Sequence, residues 1–280
     1  MKITKRILAI VLALTFITGT TVFANARTAP TDAQIEAVRL QVLEEGQRLR
    51  FQYGLMTAAQ ETQFIDGQIA QQRNLTSAQF NALPFGERLA LRRDFRTANP
   101  QITQTEINAL RKEYGGRDSW YFQESVAEQM TYYRALLGLG SVEANKTLQR
   151  LAQEHAEAWV NSERSFSQLG LTAHDRPNGT LSRVVHQGVR DTMRPYFNGL
   201  GPGTFSIHPG TLGFDTNSYL PGFIDARASS VLMAGSIPHF NPWVSRVVNT
   251  TMYVGVGYAP VNDDPNCDRY FVYVMFAWGN

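Results

Sequence analysis

The chain has 280 residues, enough for one large domain or an average domain with an appendage. Hydrophobic residues make up 43% and charged residues 18%, a globular balance that excludes disordered and collagen-like chains. One cysteine excludes a disulfide framework and a multi-cysteine zinc site, and the formal charge of +2 has a local origin.

That origin is the first 26 residues. Lys2, Lys5 and Arg6 precede the apolar run Ile7 to Ile17, and small residues follow up to Ala24-Asn25-Ala26. A charged start, a short apolar core and an A-x-A site describe a secretory signal peptide over residues 1–26. The alternative is an uncleaved anchor, but the run falls short of the roughly 20 residues a membrane span needs. No Cys follows the apolar core for lipid attachment, and Cys267 is not in a prenylation box. Removal of the leader leaves 23 Lys plus Arg against 24 Asp plus Glu, a net of −1. The expectation is a secreted, extracellular chain with no transmembrane span after signal removal and no nucleic-acid partner.

Residues 27–118 read as helical, with a recurring phrase: T-x-x-Q-I-x-A-V from Thr31, T-x-x-Q-F-x-A-L from Thr76, T-x-x-E-I-x-A-L from Thr103, and a half copy, Thr57-Ala-Ala-Gln60. Each predicts a capping box, the Thr hydroxyl and the Gln or Glu side chain satisfying each other's backbone N–H groups. The uneven spacing of the four Thr residues argues against a solenoid. Arg88, Arg92, Arg93 and Arg96 crowd the helix starting near Phe85. They read as a solvated basic face, or as a contact for an anionic cell-wall or membrane partner.

Beyond Gly115-Gly116 the pattern changes. Glu124–Leu137 and Leu148–Ser162 are amphipathic helices separated by Gly138-Leu139-Gly140. A region from Ser165 to about Gly222 shows little periodicity, and a helix is expected from Ile224 to Ala234. Two strands, Tyr253–Ala259 and Arg269–Trp278, close the chain around a polar turn. The final strand is apolar on both faces, so helices should cover it on both sides. Helices first and adjacent antiparallel strands last argue an α+β class.

Five phrases carry a resemblance: Tyr133-Arg-Ala-Leu-Leu-Gly-Leu139, Leu148-Gln-Arg-Leu-Ala-Gln-Glu-His-Ala156, Ala173-His-Asp-Arg-Pro-Asn-Gly179, Ser236-Ile-Pro-His239 and Val254-Gly-Val-Gly-Tyr-Ala259. In this order they resemble the CAP superfamily of cysteine-rich secretory proteins, antigen 5 and pathogenesis-related proteins, whose shared module is the SCP domain. The resemblance covers the C-terminal half, residues 119–280, and implies a three-layer α-β-α sandwich. It further implies that His174 and His239 line a central cleft and can hold a divalent metal such as zinc. The family's G-E-N-I phrase is missing. Asp215 in Gly213-Phe-Asp-Thr216 is the nearest acidic partner, with Asp191 and Asp225 as weaker candidates.

The remaining candidates carry bland readings. His155 reads as a packing or hydrogen-bonding residue in a helix, and His186 and His208 receive no role. Gly199-Leu-Gly-Pro-Gly203 lacks the Lys-Ser/Thr of a phosphate loop. Gly255 and Gly257 mark close backbone approach within a strand. Ser236 has no nucleophile elbow, and Cys267 has no neighbouring His. The leading expectation is ligand binding: a cleft taking a small ligand, a lipid or a cell-envelope component. The alternatives are a metal-dependent extracellular hydrolase using His174, His239 and Asp215, and an envelope-associated module docked by its N-terminal helices.

Overall fold

A computed structural model describes residues 29–103, 105–106, 109, 120–164, 166–196, 205–214, 233–235, 237–244, 252–260 and 270–279. The expected signal peptide, Asp215, Asp225, Ser236, Cys267 and the Gly199–Gly203 stretch lie outside the described residues. So does the predicted helix from Ile224, apart from a helical Met233-Ala234.

Among the described residues, four helices come first: α1 (Asp32–Gln52), α2 (Ala58–Gln72), α3 (Ser77–Asn81) and α4 (Phe85–Ala98). Thr31, Thr57 and Thr76 each close a reciprocal capping box with the Gln three residues on. Glu106 likewise returns to the Thr103 N–H at 2.9 Å while its own N–H donates to Thr103 Oγ1. All four repeated phrases therefore do the same local job, satisfying N–H groups that a helix start leaves without partners.

Phe51, Ile65, Ile69, Ala70 and Phe80 form a buried cluster, with Phe64 and Phe95 packed on it. The basic crowd on α4 is only partly the solvated face expected. Arg92 donates both Nε and Nη2 to Asp66 of α2 at 2.6 Å, and Arg96 donates Nε to Glu61 at 2.8 Å. Two of the four arginines thus brace α4 against α2. Their partners lie 26 and 35 residues earlier, beyond the reach of a local pattern.

The second group of elements is α5 (Trp120–Ala135), β1 (Val142–Ala144), α6 (Lys146–Asn161), α7 (Phe166–Leu169), α8 (Ser182–Met193), β2 (Phe205–Phe214), α9 (Ile237–Trp243), β3 (Met252–Pro260) and β4 (Tyr270–Gly279). The class is mixed α and β. The sheet runs β1-β3-β4-β2, with β1 parallel to β3 and the other pairs antiparallel. The stretch expected to be irregular holds both α8 and β2. The three-residue β1 is also new: too short to show a period, it exists because Val142–Ala144 can pair with Met252–Val254. The two closing strands match expectation within a residue at each end.

Strand β4 is buried on both faces, as its unalternating apolar sequence requires. Val274, Phe276 and Trp278 join a cluster with Val126 and Met130 of α5 and Phe240 and Trp243 of α9. Phe271, Tyr273, Met275 and Ala277 join another with Leu148, Ala152, Ala156 and Trp159 of α6 and Val189 and Met193 of α8. Helix α1 touches both halves of the chain: Val38 and Val42 lie in the α5–α9 cluster, while Phe51 lies in the N-terminal one.

Helix α6 lies directly on β3. A Cβ added at Gly255 would sit 2.2 Å from the backbone of Leu148 and Gln149, and one at Gly257 would sit 2.3 Å from that of Ala152. Only glycine permits this approach. It lets Gln153 donate from Nε2 to Tyr258 O at 2.8 Å and accept from Tyr258 N at 3.0 Å. From the other face, Gln123 of α5 does the same for Val256, at 2.9 and 3.0 Å. Because β1 stops at Ala144, these two amides complete the edge of β3 where the described residues hold no further partner strand. Buried Arg134 closes the other end, donating to Gly140 O at 2.7 Å and Trp243 O at 2.9 Å. Burial lowers its pKa to about 10, which leaves it a cation at neutral pH.

The glycine contacts make a direct prediction. Gly257→Ala should destabilise the chain by about 3 kcal/mol, as expected for a methyl forced against helix backbone. Urea denaturation of the variant beside wild type reads this, and a cost near zero would mean that α6 has room to retreat from β3.

Candidate functional site

Of the three residues expected to share a site, His174 is the one whose side chain is described. His239 is carried by α9, but its side chain, like the whole of Asp215, lies outside the described residues. Asp191 sits on the exposed side of α8, where Gln187 and Arg194 donate to it at 3.1 and 2.8 Å. His208 belongs to β2, opposite Phe276, and its side chain too is outside the described residues.

His174 rides on the loop that leads from α7 to α8. Two residues of α6, one turn apart and both buried, hold that loop from beneath. The His155 ring bonds Ala173 O from Nε2 at 3.0 Å, and Trp159 donates Nε1 to Asp175 O at 2.9 Å. His174 is therefore flanked on each side by a fastened carbonyl. Asp175, also buried, ties the loop to itself and to the start of α8: it accepts from Thr172 N and Oγ1 at 2.8 Å and from Ser182 N at 2.5 Å. Burial alone would raise its pKa, but these bonds outweigh burial and hold the carboxyl below its ordinary range.

The loop rests on Tyr273 of β4. The His155 ring stacks on Tyr273 with centroids 3.8 Å apart and planes at 15°, and the half-buried His174 ring lies 6.4 Å from the same tyrosine. A carbonyl can only accept, so His155 Nε2 carries the proton and Nδ1 is the bare nitrogen. Nδ1 and the Tyr273 hydroxyl are both buried without a hydrogen-bond partner among the described residues. Burial is the main reason the His155 pKa falls to about 4, and the nearby Arg176, His174 and His186 push it the same way. Burial also raises the Tyr273 pKa well above its ordinary value. Both groups are neutral at physiological pH.

The arrangement presents one half-buried imidazole, His174, on a loop whose position α6 and β4 fix. An imidazole held in place can coordinate a metal or hydrogen-bond a ligand. Among the described residues, no group of three or more His, Cys, Asp or Glu is placed to hold a metal ion. The expected donors, two imidazoles and a carboxylate, suit zinc in chemistry. His155 matches its expected part as a packing and hydrogen-bonding residue. Tyr273, Trp159 and Asp175 are not among the site residues expected from sequence. Thr172-x-x-Asp175 was a readable signal for a local side-chain-to-backbone turn, whereas Tyr273 is one apolar residue in an apolar strand. No family model, curated protein or solved structure matches the chain.

His155 supplies a pH prediction. Its folded pKa of about 4 lies below the ordinary value of 6.5. Stability is therefore full above pH 6.5 and declines as pH falls towards 4, because the unfolded chain takes up the proton first. The loss amounts to about 3 kcal/mol at most. Urea midpoints measured from neutral pH to about pH 4 should show the decline, with a flatter profile in His155→Phe. The same slope in both proteins would assign the acid sensitivity to other groups.

Proposed function

We propose that this chain is an exported, CAP-like ligand-binding protein. Its C-terminal half would form the three-layer α-β-α sandwich of that superfamily, with a cleft that His174 and His239 line. The observation that carries this reading is the loop Ala173-His-Asp-Arg-Pro-Asn-Gly179. Its backbone is fastened at Ala173 and Asp175 to two buried side chains of α6, which fixes the position of the His174 backbone. A residue serving only as loop surface needs no such fixing, whereas a ligand contact gains from it because less motion is lost on binding. The strand buried on both faces suits the sandwich that the resemblance implies, and the glycines beneath α6 fall in one of the phrases that carry it.

In this reading a small ligand, a lipid or a cell-envelope component occupies the cleft. His174 and His239 would hold a divalent ion such as zinc, with Asp215 as the acidic partner. Such an ion would supply a positive centre for an anionic or carbonyl group of the ligand. The chain's own contribution is to hold the His174 loop in place.

Calorimetric titration of zinc into the full chain and into His174→Ala, His239→Ala and Asp215→Ala tests the reading. Either histidine change should abolish uptake and the aspartate change should weaken it. Wild-type affinity should fall as pH drops through about 6.5, because protonated imidazole does not coordinate. Equal uptake by all four proteins would overturn the metal part. A cleft that takes up neither metal nor amphipathic ligands would overturn the rest.

A further inference from the structure

Arg93 of α4, which does not brace α2, belongs to a second surface. Helix α4 has no buried residue, yet its seat is fixed. Leu91 and Phe95 pack on the N-terminal cluster, and Arg92 pairs with Asp66. At about 100° per residue, Phe85, Leu89 and Arg93 then form one row along the helix, while Glu87 and Asp94 fall away from it. Phe85 is 65% exposed and Leu89 46%, and the Arg93 side chain is 77% exposed. Arg88 lies over the Phe85 ring at 5.9 Å, and Arg96, braced by Glu61, keeps 46% of its side chain exposed on the same flank. Among the described residues the Arg93 guanidinium makes only long, 3.4 Å contacts with Asp94.

We infer that this flank of α4 docks on an anionic phospholipid bilayer, Phe85 and Leu89 entering the headgroup region while the exposed Arg93 meets lipid phosphates. An apolar pair bordered by guanidinium groups fits an interface that is apolar within and anionic outside. A protein partner fits less well, because stable protein interfaces bury about 800 Å² per side and this flank offers two apolar side chains. No helix among the described residues is long and apolar enough to cross a membrane. The inference is independent of the CAP-like reading and of any ligand at His174.

Co-sedimentation of the full chain with phosphatidylglycerol–phosphatidylcholine vesicles, against phosphatidylcholine alone, is the test. Arg93→Ala should weaken binding to the anionic vesicles about fivefold, the effect of one basic residue at an anionic surface. Phe85→Ser combined with Leu89→Ser should weaken it at least as much, and high salt should reduce binding by all the proteins. The apolar Ile7–Ile17 segment is common to every variant, so the differences between variants report on α4. Thermal melts coincident with wild type would confirm that the variants fold. Arg93→Ala, at so exposed a position, serves if the double variant does not. Equal sedimentation with both vesicle types would overturn the inference, as would variants that bind like wild type.

Discussion

The close seat of α6 on β3 is the constraint from which the rest of the C-terminal half follows. Gly255 and Gly257 carry no Cβ, so the backbone of α6 at Leu148–Gln149 and Ala152–Gln153 settles where side chains would otherwise stand. From that seat Gln153 reaches the backbone of Tyr258, His155 stacks on Tyr273, and Trp159 reaches the loop beyond. These side chains lie on one helix, so moving α6 outward would break all three contacts together. That common dependence is why one methyl at position 257 matters more than its volume suggests.

The sheet edge is a second consequence. A strand whose neighbour stops after three residues leaves N–H and C=O groups that cost free energy if buried without partners. Asn145 ends β1 by donating its N–H to Val254 O at 2.9 Å, and its side chain caps α6 through Thr147 and Leu148. Gln123 and Gln153, one from each face, then take the next two residues of the edge. One stretch of chain thus ends a strand, starts a helix and sets that helix at the height where its glutamine works as a substitute strand.

Polarity at the His174 loop follows the same economy. Asp175 is satisfied by local donors, whereas His155 Nδ1 and the Tyr273 hydroxyl are buried without a partner among the described residues. Each such atom costs on the order of 1–3 kcal/mol, and the surrounding contacts must offset that cost. The outcome is a neutral imidazole locked beneath the loop and a second imidazole, His174, held where the loop is fastened.

By itself the sequence determined the parts whose physics is local. The four capping boxes, the amphipathic helices α5 and α6, the two closing strands and the need to bury β4 on both faces all rest on contacts within a few residues or on simple periodicity. The glycines in Val254-Gly-Val-Gly-Tyr-Ala259 signalled close approach, though not by which helix. Tertiary structure decided the rest. It made β1 a strand by giving it β3 to pair with, set α8 and β2 within a stretch without clear pattern, and turned Arg92 and Arg96 towards carboxylates on another helix. It also chose Tyr273 and Trp159 from among apolar residues as the groups that seat the His174 loop. A side chain's partner across 18 or 26 residues is fixed by how helices and strands pack, and packing at that range leaves no period in the sequence to read.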